Sequence, residues 1–340
     1  YLFFIKSTMP SKKLIVKNTT QNVEQIHDRV SLTIQSCKEY VKTLPNTSVQ
    51  MIYLDPPFNS DRNYTMSVDS DVGFGDKWDD ASYEAFINDT ITDLKRVLKP
   101  DGTLYFHISA ACMLIPQMVL AKHFKVVAPI FWKKCRSKNN VKNKLGATID
   151  VIFKCTFKEK AKFNLVLQEK DPTYLKNSFK NEDERGNYSL GHLVTENTKK
   201  GYMYEFQSNG FTFNPTSGWR ISKPALEKLE SENRLHFPKK IGGKLYKKIY
   251  LSENPGKPCT DLWDDIHSIS QGSEGRKYPT AKPVKLLERL IEISTDKEDV
   301  VLDPMCGSGT TGSACVNLER KCLLNDANKE VVEIVKSRFQ

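Results

Sequence analysis

A carboxylate, two prolines and an aromatic ring stand in one run at Asp55-Pro56-Pro57-Phe58. The apolar segment Val49-Gln50-Met51-Ile52-Tyr53-Leu54 before it reads as a buried strand leading into a rigid turn. Proline fixes φ and carries no N–H, so the carbonyls around the pair are expected to face outward without internal partners. The strand end then offers one carboxylate, one or two backbone acceptors and one aromatic face. Such a set suits a planar substrate with an exocyclic amino group, whose N–H bonds it accepts and whose ring it stacks on. From these four residues alone, a Pro-rich turn with an N-cap aspartate is the competing reading.

A second run, Val300-Val301-Leu302-Asp303-Pro304-Met305-Cys306-Gly307-Ser308-Gly309-Thr310-Thr311-Gly312, reads as strand, glycine-rich turn and helix start. Gly307, Gly309 and Gly312 satisfy G-x-G-x-x-G in the required context. The strand Lys321-Cys322-Leu323-Leu324-Asn325 follows and ends in Asp326, nineteen residues past Gly307, where an acid can accept from ribose hydroxyls. This unit is expected to bind an adenosine-containing cofactor. There is no G-x-x-x-x-G-K-[ST] run, which argues against ATP held through this loop. Asp303 would repel a pyrophosphate but pair with the amino group of a methionine moiety. S-adenosylmethionine, with adenosine, sulfonium and amino acid but no phosphate, fits these groups best.

Both acids need elements that bring them together across ~250 residues of chain. Candidate strands fall at Ser31–Gln35, Val49–Leu54, Thr103–Ile108, Lys125–Trp132, Thr148–Phe153, Val300–Leu302 and Lys321–Asn325. Between them, Ser82–Leu98 carries Phe86, Ile87, Ile91, Leu94 and Leu98 at helical spacing, and further helices are expected over Lys282–Glu292 and Thr310–Asn317. Alternation of strand and helix predicts a doubly wound, mostly parallel α/β sheet of seven strands. Ligands of such sheets bind beyond the carboxyl ends of the strands, where Asp55 and Asp303 both fall. Two segments stand outside this rhythm. Asn59–Asp80 reads as a long polar loop beside the aromatic turn, a lid or a plain connector. Phe157–Asp265 mixes Lys, Asn, Gly and aromatics without βαβ order.

Together, the two motifs resemble the amino-group DNA methyltransferases, and their order, catalytic motif first and cofactor motif last, resembles the β group of that family. Leu98-Lys99-Pro100-Asp101-Gly102-Thr103-Leu104-Tyr105-Phe106 is similar to the turn and strand that follow the family's catalytic motif. Tyr278-Pro279-Thr280-Ala281-Lys282-Pro283 resembles its helix start at the methionine end of the cofactor. Three positions depart from the pattern: Met305 stands where Phe is usual, Ala281 where Gln is usual, and Ser36-Cys37 where Gly-Asp is common. The resemblance implies a Rossmann-like methyltransferase core with circularly permuted motif order. Its expected parts are an N-terminal extension over 1–30, a catalytic half over 31–156, an inserted target-recognition region over 157–265 and a cofactor-binding half over 266–340.

By resemblance, Asp55, Pro56, Pro57 and Phe58 are catalytic. Ser36, Cys37, Asp55, Thr280, Lys282, Pro283, Asp303, Pro304, Met305, Cys306, Gly307, Ser308, Gly309, Thr310 and Asp326 form the S-adenosylmethionine site. Lys133, Lys134, Arg136 and Lys138, with Trp219, Arg220, Lys239, Lys240 and Lys244, are assigned to DNA. No metal is expected. The implied activity is methyl transfer to an amino nitrogen of a base flipped out of double-stranded DNA. Asp at the first motif position goes mostly with adenine N6 in the family, and Ser with cytosine N4. Cytosine N4 transfer and a catalytically silent DNA-binding or specificity subunit are the alternatives. A homodimer, a restriction endonuclease partner and a bacterial-type cytoplasmic setting are implied by resemblance alone.

Composition agrees with these expectations. The chain has 340 residues with net charge +10, and its pI near 9.0 suits a polyanionic partner. Eight cysteines form no C-x-x-C pair, so they read as thiols in a reducing compartment. Tyr1-Leu2-Phe3-Phe4-Ile5 is too short for a membrane span, and Met9 is a candidate start.

Overall fold

Val49–Leu54 is buried along its whole length and forms the middle strand of a nine-stranded sheet. A computed structural model describes residues 23–60, 62–65, 73–135, 143, 145–168, 170–196, 200–254, 256–269 and 281–340. Thr280, Arg136 and Lys138 lie outside the described residues. The chain divides into two units, one of residues 1–166 with 260–340 and one of residues 167–259.

In the first unit the strands are β1 (Val23–His27), β2 (Val30–Ile34), β3 (Val49–Leu54), β4 (Leu98–Ser109), β5 (Val126–Lys133), β6 (Ile149–Thr156), β7 (Leu262–Trp263), β8 (Val300–Asp303) and β9 (Lys321–Asp326). They lie in the order β1-β2-β9-β8-β3-β4-β6-β5-β7. From β2 to β4 every neighbour is parallel, whereas β6 runs antiparallel to β4 and β5. The sheet therefore exceeds the seven strands expected. β1, placed by sequence in an N-terminal extension, pairs antiparallel with β2, and the two-residue β7 pairs with β5.

Period-two alternation splits the core over both faces of the sheet. Met51 and Tyr53 face a cluster with helices α4 (Val284–Ser294), α5 (Thr310–Asn317) and α6 (Val331–Lys336). Ile52 and Leu54 face a second cluster with α1 (Cys37–Thr43), α2 (Asp80–Val97) and α3 (Leu114–His123). α2 starts because the Asp79 side chain accepts from the Ser82 N–H at 2.9 Å, and it buries Tyr83, Ile87, Ile91 and Leu94 on one stripe. α4 begins at Val284, two residues later than expected. Pro283 is its N-cap with extended backbone, a place where the missing N–H costs nothing. Among the described residues no helix is long and apolar enough to cross a membrane.

Residues 59–80, expected as a loop, contain an antiparallel pair, Arg62–Thr65 with Gly73–Asp76. Phe157–Asp265, expected as one insert, is shorter as a compact unit. Asn164 donates from its side chain to the Glu292 and Thr295 carbonyls at 3.0 and 2.8 Å, which ties it to the end of α4. Trp263 of β7 is buried in the main core.

The second unit, Leu167–Cys259, carries a sheet of Asn181–Asp183, Gly186–His192, Tyr246–Tyr250 and Leu235–His236. Its own core gathers Leu193, Phe206, Phe213, Trp219, Leu226, Leu235 and Leu245.

In the main unit, Tyr105 Oη meets Ser294 Oγ at 2.6 Å with both residues fully buried, joining β4 to α4. Tyr105→Phe leaves the Ser294 hydroxyl without this partner and is expected to cost about 1–2 kcal/mol, read as a lower urea midpoint with unchanged slope.

Candidate active site

Parallel pairing sets three carboxylates at adjacent strand ends. Leu302 lies opposite Ile52 and Asp303 opposite Leu324, so Asp55, Asp303 and Asp326 emerge at the carboxyl edge within two residues of one register line. They line one cavity of about 860 Å³, together with Ser36, Cys37, Pro56, Pro57, Phe58, Lys282, Pro304, Met305, Cys306, Gly307, Ser308 and Thr310. Sequence reasoning thus named most of the lining. It missed Tyr53 and the α2 side of the cavity, where Trp78, Phe86, Asp89, Thr90 and Asp93 stand. Trp78 stacks on Phe86 with ring centroids 5.1 Å apart, an aromatic pair whose spacing across a helix start gives no motif.

The aromatic turn is fastened from two sides. Tyr83 Oη of α2 donates to the Pro57 carbonyl at 2.8 Å, so this carbonyl has an internal partner, contrary to expectation. Asp76, itself buried, accepts from the Asn59 and Ser60 N–H groups at 2.7 and 2.9 Å. Lys282 Nζ donates to Asp55 Oδ2 and lies 5.9 Å from the centroid of the Phe58 ring. Asp55 Oδ1 is buried without a hydrogen-bond partner.

At the glycine turn, Gly307 and Gly309 take positive φ of 49° and 72°. A Cβ on Gly309 would stand 2.9 Å from a Val335 methyl, so Gly309 serves packing against α6 and is not part of the lining. The Gly307 N–H donates to Asp326 Oδ2 at 2.8 Å, and the Asn328 N–H to Oδ1 at 2.9 Å, leaving each oxygen a second lone pair. Burial raises the Asp326 carboxyl above its ordinary range. Asn325 knits the edge together by donating to the Gln35 and Pro304 carbonyls, each at 3.0 Å. Ser36, expected at the adenine, accepts from the Glu39 N–H at 3.3 Å and caps α1. Burial pushes the Cys37 thiol up to about 12 and the Cys306 thiol well above its ordinary value, so neither supplies a thiolate.

Asp303 is buried, with Thr311 Oγ1 donating to Oδ2 and the Met305 N–H to Oδ1 at 3.3 Å. Burial, aided by the charges of Asp55 and Asp326, pushes its carboxyl up to about 7 against the Thr311 hydrogen bond. A buried acid at this strand end calls for a cation.

The residues assigned to DNA have different surroundings. Trp219 is buried in the second unit, stacked on Tyr204 at 5.6 Å and bonded through Nε1 to the Tyr204 carbonyl, so its ring cannot stack on a base. Arg220 pairs with Glu196 at 3.6 Å. Lys134 pairs with Asp150 at 2.7 Å, whereas Lys133 is exposed. Lys239, Lys240 and Lys244 are placed together on one loop of the second unit, and all three are exposed.

Strand order and the carboxylates at the ends of β8 and β3 place a ligand site at the carboxyl edge of a doubly wound α/β sheet. The chain belongs to the N6/N4 DNA methylase family, whose model, described as a DNA methylase, matches residues 49–337. It is 27% identical over 296 residues to the type II methyltransferase M.EcaI of Enterobacter cloacae, covering 85% of this chain and 64% of that protein. With M.BamHI of Bacillus amyloliquefaciens it shares 26% identity over 342 residues, covering 99% of this chain and 64% of that one. The chain thus spans just under two thirds of the length of these two relatives. Among solved structures, the cytosine-N4-specific PvuII DNA methyltransferase superposes with a TM-score of 0.53 at 14% identity, over 92% of this chain and 87% of that one, a likeness of fold.

The cavity suits S-adenosylmethionine, the methyl donor of this family: Asp303 would hold its ammonium group, Asp326 its ribose hydroxyls, and Met305 would lie against an apolar part. A free Asp303 holds a proton below about 7, and cation binding requires the carboxylate. Affinity for S-adenosylmethionine is therefore expected to rise with pH through about 7 and level off above, and Asp303→Asn to remove the dependence, both read by titration calorimetry. In the ligand-free protein the sign is reversed: protonated Asp303 contributes stability below the ordinary carboxylate range, lost as pH rises through about 7.

Proposed function

We propose that this chain methylates the N6 amino group of adenine at specific sites in double-stranded DNA, drawing the methyl from S-adenosylmethionine. The observation that carries the reading is Asp55 Oδ1, a buried acceptor without a partner, in a cavity that Pro56 and Phe58 also line; the Pro56 carbonyl is assigned as the second acceptor. An adenine amino nitrogen is a poor nucleophile, because its lone pair is delocalised into the ring. Two acceptors, one on each N–H, pull the nitrogen toward tetrahedral geometry and free the lone pair. Phe58 stacks on the base, which must leave the duplex to reach the turn. When bound, the cofactor supplies an electrophilic methyl on its sulfonium. Asp55 Oδ1 would take up the proton that the amino nitrogen gives up on methylation. Lys282 holds Oδ2 in place, so catalysis is positioning and electrostatics.

The second unit is assigned to target recognition. Its loop lysines Lys239, Lys240 and Lys244 suit binding to phosphates. A homodimer and a cognate restriction endonuclease belong to the same reading, by analogy with the restriction-modification relatives.

Asp55→Ala is expected to abolish transfer while leaving S-adenosylmethionine affinity largely intact. The test incubates the protein with unmethylated genomic DNA and the cofactor, then analyses nucleosides by mass spectrometry. N6-methyladenine from wild type supports the reading, N4-methylcytosine moves it to the other amino base, and turnover by the Asp55→Ala variant overturns the mechanism. Replacing Lys239, Lys240 and Lys244 together by Ala should flatten the salt dependence of DNA binding, by about 0.9 in log–log slope for each phosphate no longer neutralised.

A further inference from the structure

Behind Asp55 lies a row of buried polar side chains that methyl transfer does not itself require. Tyr53 Oη on β3 is 2.6 Å from His107 Nδ1 on β4. His107 Nε2 is 3.3 Å from Asp150 Oδ2 on β6, and Lys134 Nζ, just past β5, is 2.7 Å from Asp150 Oδ1. His107 is fully buried and Asp150 nearly so. Phe58 and Trp132 pack on the imidazole at 5.9 and 5.7 Å between centroids. His107 Nδ1 stands 3.9 Å from Asp55 Oδ1, too far for a hydrogen bond.

Protonation states follow from the partners. Burial alone would raise the Asp150 carboxyl, but hydrogen bonds from His107 and Lys134, with the Lys134 charge, hold it below its ordinary range. Asp150 is therefore a carboxylate at any working pH and only accepts. The ring proton of neutral His107 then sits on Nε2, and Nδ1 presents a lone pair that the Tyr53 hydroxyl fills. Asp55 Oδ1 consequently faces a nitrogen with no proton to give, which explains a buried carboxylate oxygen without a donor. An unsatisfied buried acceptor is costly, and persists only where its surroundings enforce it.

We propose that His107, locked by Asp150 and Tyr53, is a positioning residue that keeps Asp55 Oδ1 open for the substrate's amino group. The proposal rests on the methyl-transfer reading. The groups that face the imidazole are Tyr53, Asp55 and Phe58 from β3 and its turn, Asp150 from β6, and Trp132 from β5, with Lys134 behind Asp150. A ring with its proton on Nδ1 can turn that N–H toward Asp55 and occupy the acceptor.

Asp150→Asn tests this with little change in shape. Lys134 Nζ is a donor, so the new carboxamide turns its oxygen to Lys134 and its NH2 to His107 Nε2. The ring proton must then move to Nδ1, beside Asp55. Nitrogen-15 NMR of the histidine rings in the full chain should report the Nε2–H form of His107 in wild type and the Nδ1–H form in Asp150→Asn, whatever reaction the protein performs. The kcat for DNA methylation should fall roughly tenfold or more, with S-adenosylmethionine affinity unchanged. A structural role alone would lower the melting temperature and leave the His107 ring proton on Nε2.

Nδ1–H in wild type, or an unchanged kcat in an Asp150→Asn variant that carries Nδ1–H, overturns the proposal. A wild-type protein that methylates no DNA overturns instead the reading on which it rests, and the NMR arm still decides the tautomer.

Discussion

Three carboxylates at neighbouring strand ends repel one another, and the site is organised around containing that repulsion. Each is contained differently. Asp55 has the Lys282 ammonium on one oxygen. Asp326 accepts two backbone N–H groups from the turns around it. Asp303, the most enclosed, takes a hydroxyl and one N–H and shifts toward the neutral acid. The arrangement holds because parallel pairing of β8 with β3 and β9 leaves these ends no freedom to separate. A ligand that brings its own positive charge relieves the strain, so affinity and selectivity for a cationic cofactor have one source.

Much of this was legible in the chain because its signals are local. A hydrophobic strand running into Asp-Pro-Pro-Phe, and a strand running into a glycine turn, each declare themselves within about a dozen residues. The central strands and the helices expected from Ser82 and Thr310 follow from period and from the glycine turn, and the first of these helices begins two residues earlier, at Asp80. Hidden features depended on distant partners. Nothing near Pro57 announces that Tyr83 will take its carbonyl. Trp219 beside Arg220 looks like a stacking ring next to a phosphate-binding cation, yet its indole closes a core of residues between Leu193 and Leu245.

His107 shows the same limit from the other direction. A titratable residue inside the apolar run Leu104-Tyr105-Phe106-His107-Ile108 is a visible anomaly, since burying it demands partners on both ring nitrogens. The sequence carries no sign of which partners, because Tyr53 and Asp150 come from strands on either side and meet it only once the register of β3, β4 and β6 is set.

The pairing of β8 with β3 also governs the order in which the protein can be built. These central strands are joined by ~250 residues of chain, so the middle of the sheet cannot close until Val300–Asp303 has been made. Residues 167–259 pack largely within themselves and can fold earlier, as their pairings span shorter loops. During synthesis β3, apolar along nearly its whole length, must wait beside β4 with its other edge unpaired. That interval is when the nascent chain is most open to wrong pairing, and when it would most need protection by a chaperone.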